Sequence, residues 1–317
     1  MTAAVVLAAG QGKRMHSDLP KVMHPVLGRP MILRVLESAR RAGLDDVVVV
    51  AGHGRELLIP LLEEAGFRWV VQEPQLGTAH AVQCALDAVD SEELAVLLGD
   101  VPLLEPDTIR DLVESRRREE ASIAVLTTRP PDVSGYGRVL RTEGSRIGLI
   151  VEERDATPAQ LRTREINTGL MVFDGTLVRD LIGGVGNDNS QGEYYLTDCI
   201  AAAVSMGLTA VAVEAPDWSE VAGINDPEQL SLATQRLLES VVAGHIRRGV
   251  RIPDPGTVWI EETVTIGPGT VVAGGCRLTG TTSVGSGCSL GEGCLLSDAD
   301  VPAGTVLEAG SVVGRSA

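Results

Sequence analysis

The sequence predicts an α/β domain built on parallel strands, followed by a short left-handed parallel β-helix. Two patterns and the break between them carry this reading. Over the first two thirds of the chain, apolar residues at helical spacing alternate with unbroken apolar runs of strand length. From Ile260 the apolar anchors instead recur every six residues, and glycine becomes frequent.

Taken in order, the stretch from Ala3 to Met15 reads as a buried-strand run that ends in the small alanines Ala8 and Ala9 and the glycines Gly10 and Gly12 of a loop. Met31 to Arg41 places Ile32, Val35, Leu36 and Ala39 on one helical face, and Asp46 leads into the strand Val47 to Val50. The rhythm repeats with a helix over Glu56 to Ala65, a strand over Trp69 to Val71 and a helix over Thr78 to Val89. A third apolar strand, Leu94 to Leu98, ends at Gly99-Asp100-Val101-Pro102, where a carboxylate at a strand's carboxyl end is well sited for a metal.

Glu105 to Glu119 reads as a helix, Ile123 to Thr127 as a strand, Ser134 to Arg138 as a tight turn and Glu152 to Asp155 as an exposed charged segment. Glu165-Ile166-Asn167-Thr168-Gly169 opens a strand to Phe173, Gly183 to Gln191 reads as a mobile surface loop, and Gln191 to Asp198 leads into a helix. A strand near Ala210 to Val213 completes the domain. Asp226-Pro227 is a helix start, with Asp at the cap and Pro in the first turn. Leu230, Ala233, Leu237, Val241 and His245 share a face of that helix, and a packed or surface histidine rather than a ligand is the expectation for His245.

The anchors Ile260, Ile266, Val272, Leu278, Val284, Leu290 and Leu296 hold a period of six, resumed after one deletion by Val301, Leu307 and Val313. Four residues after each anchor sits a small side chain, among them Thr270, Cys276, Thr282, Cys288 and Cys294. Three six-residue sides make one coil, so about three coils are expected. The expected division is 1–226 for the α/β domain, 227–250 for a joining helix and 251–317 for the β-helix.

A formal charge of −16 in 317 residues excludes a nucleic-acid or anionic-membrane partner as the expectation, because so acidic a chain repels polyanions. No stretch is long and apolar enough for a membrane span and no secretory signal is evident, so the cytoplasm is the expected location. The five cysteines (Cys84, Cys199, Cys276, Cys288, Cys294) are odd in number and form no C-x-x-C, which points to reduced, packed thiols.

The first loop carries chemistry. Its glycines let the backbone approach a ligand and aim amides at phosphate oxygens, with Arg14 and Lys21 following as cations. Met15 stands where a dinucleotide fingerprint needs its third glycine, and the spacing does not fit a Walker loop. An ordinary strand-to-helix turn is the alternative on these residues alone.

In order along the chain come L-A-A-G-x-G-x-R-M, L-P-K-V, Q-L-G-T-A-H-A, G-D-V-P-L, G-Y-G-R, E-I-N-T-G and Q-G-E-Y-Y-L-T-D. Together they resemble the bacterial bifunctional family of N-acetylglucosamine-1-phosphate uridylyltransferases and glucosamine-1-phosphate acetyltransferases. The resemblance covers residues 3 to 250 and only the beginning of the family's β-helix. It implies a Rossmann-like nucleotidyltransferase domain that joins UTP and N-acetylglucosamine 1-phosphate into UDP-N-acetylglucosamine and pyrophosphate.

By that resemblance, the backbone around Leu7, Ala8, Ala9 and Gly10 cradles the nucleotide, and Gln72, Gly77 and Thr78 read the uracil. Asp100 and Asn225 hold Mg²⁺. Gly137, Glu152 and Asn167 bind the sugar, Tyr195 and Thr197 lie near its phosphate, and Arg14 and Lys21 stabilise the departing pyrophosphate. Lys13 replaces the usual Thr, and Leu98 replaces a residue often hydroxylic or aromatic. The family's acetyltransferase residues fall in later coils, so no acetyl transfer or acetyl-CoA binding is expected of residues 1–317. The resemblance also implies a homotrimer through the β-helix, with a monomer as the alternative. Competing readings are another sugar-1-phosphate nucleotidyltransferase, such as one for glucose 1-phosphate, and a non-catalytic sugar-nucleotide scaffold.

Overall fold

The structure is a computed structural model that describes residues 1–314, and its contacts divide the chain into two units. One comprises Met1–His24 and Pro30–Asp226; the other comprises Pro25–Arg29 and the chain from Pro227 onward.

The first unit is built on a mixed sheet. Its strands are β1 (Thr2–Ala8), β2 (Asp46–Ala51), β3 (Arg68–Val71), β4 (Glu93–Leu98), β5 (Ile123–Thr128), β6 (Arg138–Arg141), β7 (Ile147–Val151), β8 (Ile166–Asp174) and β9 (Ala210–Glu214). The main path runs β9-β5-β8-β4-β1-β2-β3, and β6 pairs with β8 and β7. β1 lies parallel to β2 and β4, and β9 lies parallel to β5. β8 is antiparallel to both of its neighbours, β4 and β5.

Helices α1 (Met31–Arg41), α2 (Arg55–Glu64), α3 (Thr78–Ala85), α4 (Pro106–Arg118), α5 (Val178–Gly183) and α6 (Asp198–Ser205) accompany the sheet. Successive β1 residues feed opposite cores: Ala3 and Val5 join the buried residues of α3, α5 and α6, whereas Ala4 and Val6 join those of α1, α2 and α4. A central strand buried on both faces has no polar alternation, which explains the Val47 to Val50 run. The helix expected to run to Val89 stops at Ala85 and continues as turns. The β6–β7 hairpin was not anticipated. Gly183 closes α5, and the segment 184–191 is irregular and largely exposed.

The second unit contains α7 (Pro227–Arg247), whose Val242 shares one core with the β-helix, so this helix belongs with the coils. The coils form a left-handed parallel β-helix whose three faces carry, among the described residues, four, three and three short strands. Anchors Ile260 to Val301 are buried, while Leu307 and Val313 are half-buried. Cys276, Cys288 and Cys294 are buried and free. His245 is packed inside, and burial together with Arg248 lowers its pKa to about 4, so it stays neutral at pH 7.

One buried carboxylate ties the first unit together. Glu93, at the start of β4, accepts hydrogen bonds from Thr2 Oγ1 at 2.7 Å, from Arg116 Nη2 at 2.8 Å and from Arg117 Nε at 2.9 Å. Burial works to raise its pKa, but the bonds from Arg117, Thr2 and Arg116 prevail and hold it at about 2. Its stabilising effect is therefore complete above the ordinary carboxylate value of 4.5 and is lost as pH falls toward about 2. Glu93→Gln is expected to cost about 3 kcal/mol at pH 7, and denaturant titrations across pH should show that cost shrinking below pH 4.5.

Candidate active site

The loop after β1 begins where the sheet leaves off. Gly99 N–H donates to the Leu7 carbonyl at 2.9 Å, and His53 N–H to the Ala9 carbonyl at 3.2 Å, so the ends of β4 and β2 brace it. Ala8 and Ala9 are buried and Gly10 is exposed. The main-chain N–H groups of Gly10, Gln11 and Gly12 donate to no acceptor among the described residues. A Cβ at Gly10 would meet nothing within 4 Å. Gly10 therefore keeps space clear rather than serving packing, which suits a phosphate cradle.

Gly12 has a different task. Its φ of 60° is left-handed, and a Cβ there would lie 2.7 Å from Lys21 Cβ. That close approach seats Lys21 over the loop. The Lys21 ammonium donates to Asp100 Oδ2 and, at 3.2 Å, to Asn225 Oδ1. Lys21 and Asp100 side chains are only 15% and 17% exposed. Ile224 N–H donates to the Asp100 carbonyl at 2.9 Å, which brings Asn225 to the end of β4. One cation is thus shared by two oxygens, one from the end of β4 and one from the last segment of the unit. Arg14 is exposed and makes no ion pair among the described residues, so its guanidinium remains available to an anion.

The expected base subsite forms a second cluster. Gln72 is buried beyond β3, and its Nε2 donates to the Gly77 carbonyl at 2.9 Å. Gly77 has φ 112°, and a Cβ there would lie 2.6 Å from the Tyr194 carbonyl oxygen and 2.8 Å from its nitrogen. Tyr194 N–H donates to the Leu76 carbonyl at 2.8 Å, Ala79 N–H to the Tyr194 carbonyl at 2.9 Å, and Leu196 N–H to Thr78 Oγ1 at 2.9 Å. The segment 76–79 is thereby laced to 194–196.

The expected sugar residues also meet. Thr197 Oγ1 donates to Glu152 Oε1 at 3.0 Å, and Asn167 N–H to the Gly137 carbonyl at 2.9 Å. A Cβ on Gly137 would lie 3.2 Å from Glu152 Oε1. Glu152 is half-buried, which corrects the reading of 152–155 as a wholly exposed charged run. Burial raises its carboxyl pKa and the nearby acids Asp198 and Asp155 add to this, against the lowering effect of the Thr197 bond. Tyr195 is buried, and its hydroxyl accepts from Gln191 Nε2 at 2.7 Å.

Two neighbours escaped the sequence reading. Burial raises the Tyr136 phenol pKa, as does the Asp100 charge, while Arg14 opposes it. Tyr136 thus lies within electrostatic reach of Asp100 and Arg14. Its motif G-Y-G-R is visible in the sequence, but this neighbourhood is not. His80 Nδ1 lies 3.2 Å from Gln72 Nε2, again a neighbour only in space. Among the described residues no group of three or more His, Cys, Asp and Glu forms a metal cluster.

A mixed α/β sheet with an open glycine loop beyond β1 and a carboxylate beyond β4 defines a nucleotidyltransferase. The profile of the MobA-like NTP transferase domain matches residues 4–156. The chain is 41% identical over 314 residues to the bifunctional protein GlmU of Pelobacter propionicus, spanning 98% of this chain and 68% of that one. It is 43% identical over 287 residues to the bifunctional protein GlmU of Syntrophotalea carbinolica, spanning 90% and 62%. The chain belongs to this GlmU family and spans roughly two thirds of the length of these relatives.

Among solved structures, a UDP-glucose pyrophosphorylase complexed with UDP-glucose matches with a TM-score of 0.61 at 18% identity, over 76% of this chain and all (100%) of that one. A putative glucose-1-phosphate thymidylyltransferase from Bacillus anthracis matches with a TM-score of 0.59 at 20% identity, over 74% and 94%. These are likenesses of fold. No helix among the described residues is long and apolar enough to cross a membrane.

Two glycine variants separate packing from ligand approach. Gly77→Ala is expected to lower unfolding free energy by about 2 kcal/mol, because its Cβ meets backbone at Tyr194. Gly10→Ala should keep stability within about 0.5 kcal/mol of the parent yet weaken nucleoside triphosphate binding, because only ligand space is lost. Denaturant titration and calorimetric nucleotide binding measure the two effects.

Proposed function

We propose that this chain is a uridylyltransferase joining UTP and N-acetylglucosamine 1-phosphate to give UDP-N-acetylglucosamine and pyrophosphate. The observation that carries the chemistry is the single ammonium shared by Asp100 and Asn225 beside the open loop amides. The motifs Q-L-G-T-A-H-A, E-I-N-T-G and Q-G-E-Y-Y-L-T-D, with the identity to GlmU relatives, support the choice of substrates.

In the proposed step an oxygen of the sugar phosphate attacks the α-phosphorus of UTP in line. The new P–O bond forms as the bond to the β-phosphate bridging oxygen breaks, and that electron pair leaves with pyrophosphate. The nucleophile is already anionic, so no general base is required, and the protein must align the phosphates and offset their charge. The amides of Gly10 to Gly12 hold phosphate oxygens, and Arg14 and Lys21 meet the charge that grows on the leaving pyrophosphate. Mg²⁺ bound to Asp100 and Asn225 would neutralise charge on the reacting phosphates. The oxygens fit that ion: they already converge on one cation, and a site with few protein ligands completed by phosphates and water suits magnesium.

On this reading, Leu7, Ala8, Ala9 and Gly10 line the nucleotide, with Gln72, Gly77 and Thr78 at the base. Gly137, Glu152 and Asn167 hold the sugar, and Tyr195 and Thr197 border its phosphate. The hydroxyl of Tyr195 accepts from Gln191 and keeps its own proton to donate, whereas Thr197 Oγ1 already gives its proton to Glu152. On this reading residues 1–226 are the nucleotidyltransferase part, 227–250 the joining helix and 251–317, of which 315–317 lie outside the described residues, the β-helix, the proposed seat of a homotrimer in the cytoplasm.

Pyrophosphate release with UTP and Mg²⁺ is expected to be fast with N-acetylglucosamine 1-phosphate and slow with glucosamine 1-phosphate or glucose 1-phosphate. Asp100→Ala should reduce it at least about 100-fold. Preference for glucose 1-phosphate would overturn the sugar assignment, and silence with all three would favour a scaffold.

A further inference from the structure

The side-chain amide of Gln72 is held in one orientation. Gln72 is 4% exposed. Its Nε2 lies 2.9 Å from the Gly77 carbonyl oxygen and 3.2 Å from His80 Nδ1. An amide nitrogen has two hydrogens and no accepting lone pair, so it donates to both and its donors are used up. Gln72 Oε1, by contrast, accepts no hydrogen bond from the protein among the described residues. Oε1 is the one polar atom of this buried side chain left for a ligand.

His80 makes this arrangement directional. Because Nδ1 accepts from Gln72, the proton of the neutral ring sits on Nε2, which lies 3.8 Å from Cys84 Sγ, one helical turn along α3. Burial raises the Cys84 pKa, so that sulfur is a neutral thiol. Turning the Gln72 amide over would set Oε1 against the Gly77 carbonyl, an acceptor–acceptor contact, and would keep the second bond only if the ring proton of His80 moved from Nε2 to Nδ1.

Pyrimidine bases differ at the atom such an acceptor would meet. Uracil and thymine carry an imide N–H between two carbonyls, whereas cytosine carries a lone pair at that ring nitrogen. An oxygen that can only accept pairs with the first and repels the second. We propose that His80 is a positioning residue for base choice, which together with the Gly77 carbonyl fixes Gln72 Oε1 as an acceptor and so selects an imide-bearing pyrimidine over cytosine. This rests on the placement of Gln72 at the base in the proposed function.

The test is calorimetric binding of UTP and CTP, each with Mg²⁺, to the full chain and to His80→Leu and His80→Asn. Leucine removes the acceptor, and the Oδ1 of asparagine falls where Nδ1 stood. The parent is expected to prefer UTP, His80→Leu to lose about tenfold of that preference, and His80→Asn to recover most of it. Equal binding of UTP and CTP by the parent would overturn the placement of the base itself. An unchanged preference in His80→Leu, or equal weakening of both nucleotides that asparagine does not repair, would overturn the role of His80 while leaving that placement intact.

Discussion

One ammonium holds the site together. Lys21 gives its charge to Asp100 and a hydrogen bond to Asn225, and these residues come from the first loop, the end of β4 and the last segment of the first unit. A pair this shielded from water interacts more strongly than a surface pair, but each partner has also given up hydration. Removing one would leave the other poorly compensated. The same convergence of oxygens that satisfies a lysine is what a divalent cation requires, so structural and proposed chemical roles coincide at these three residues.

The sheet supplies the geometry for this crossing. Parallel β1 and β4 end side by side, which places the open amides next to Asp100. β8 enters antiparallel between β4 and β5, and its beginning carries Asn167, with Gly137 and Glu152 supplied by the adjoining hairpin. The segment 194–197 serves both sides: its backbone fixes Gly77 and Thr78, while Thr197 reaches Glu152. A change in either proposed subsite therefore has a short covalent path to the other.

The β-helix was legible because its period is local: each anchor repeats the constraint of its predecessor, and the buried column Ile260, Leu278 and Leu296 follows directly. The strands β1, β2 and β4 were legible because they are buried on both faces. The hairpin β6–β7 was not, since R-V-L-R and I-G-L-I-V alternate weakly around a short turn. Glu152 looked solvated because its cover, Thr197, lies 45 residues away. The partners of Lys21 were hidden for the same reason, with Asp100 79 and Asn225 204 residues distant. Sequence motifs named the residues that gather at the candidate site; their partners required the fold.

The most direct test of the shared-cation account is anomalous scattering from crystals grown with Mn²⁺ and a non-reactive UTP analogue. The account predicts a Mn²⁺ peak at about 2.0–2.2 Å from oxygens of both Asp100 and Asn225, with the Lys21 ammonium displaced from between them. A nucleotide-bound structure in which Lys21 still bridges the two side chains, with the metal held elsewhere, would contradict it.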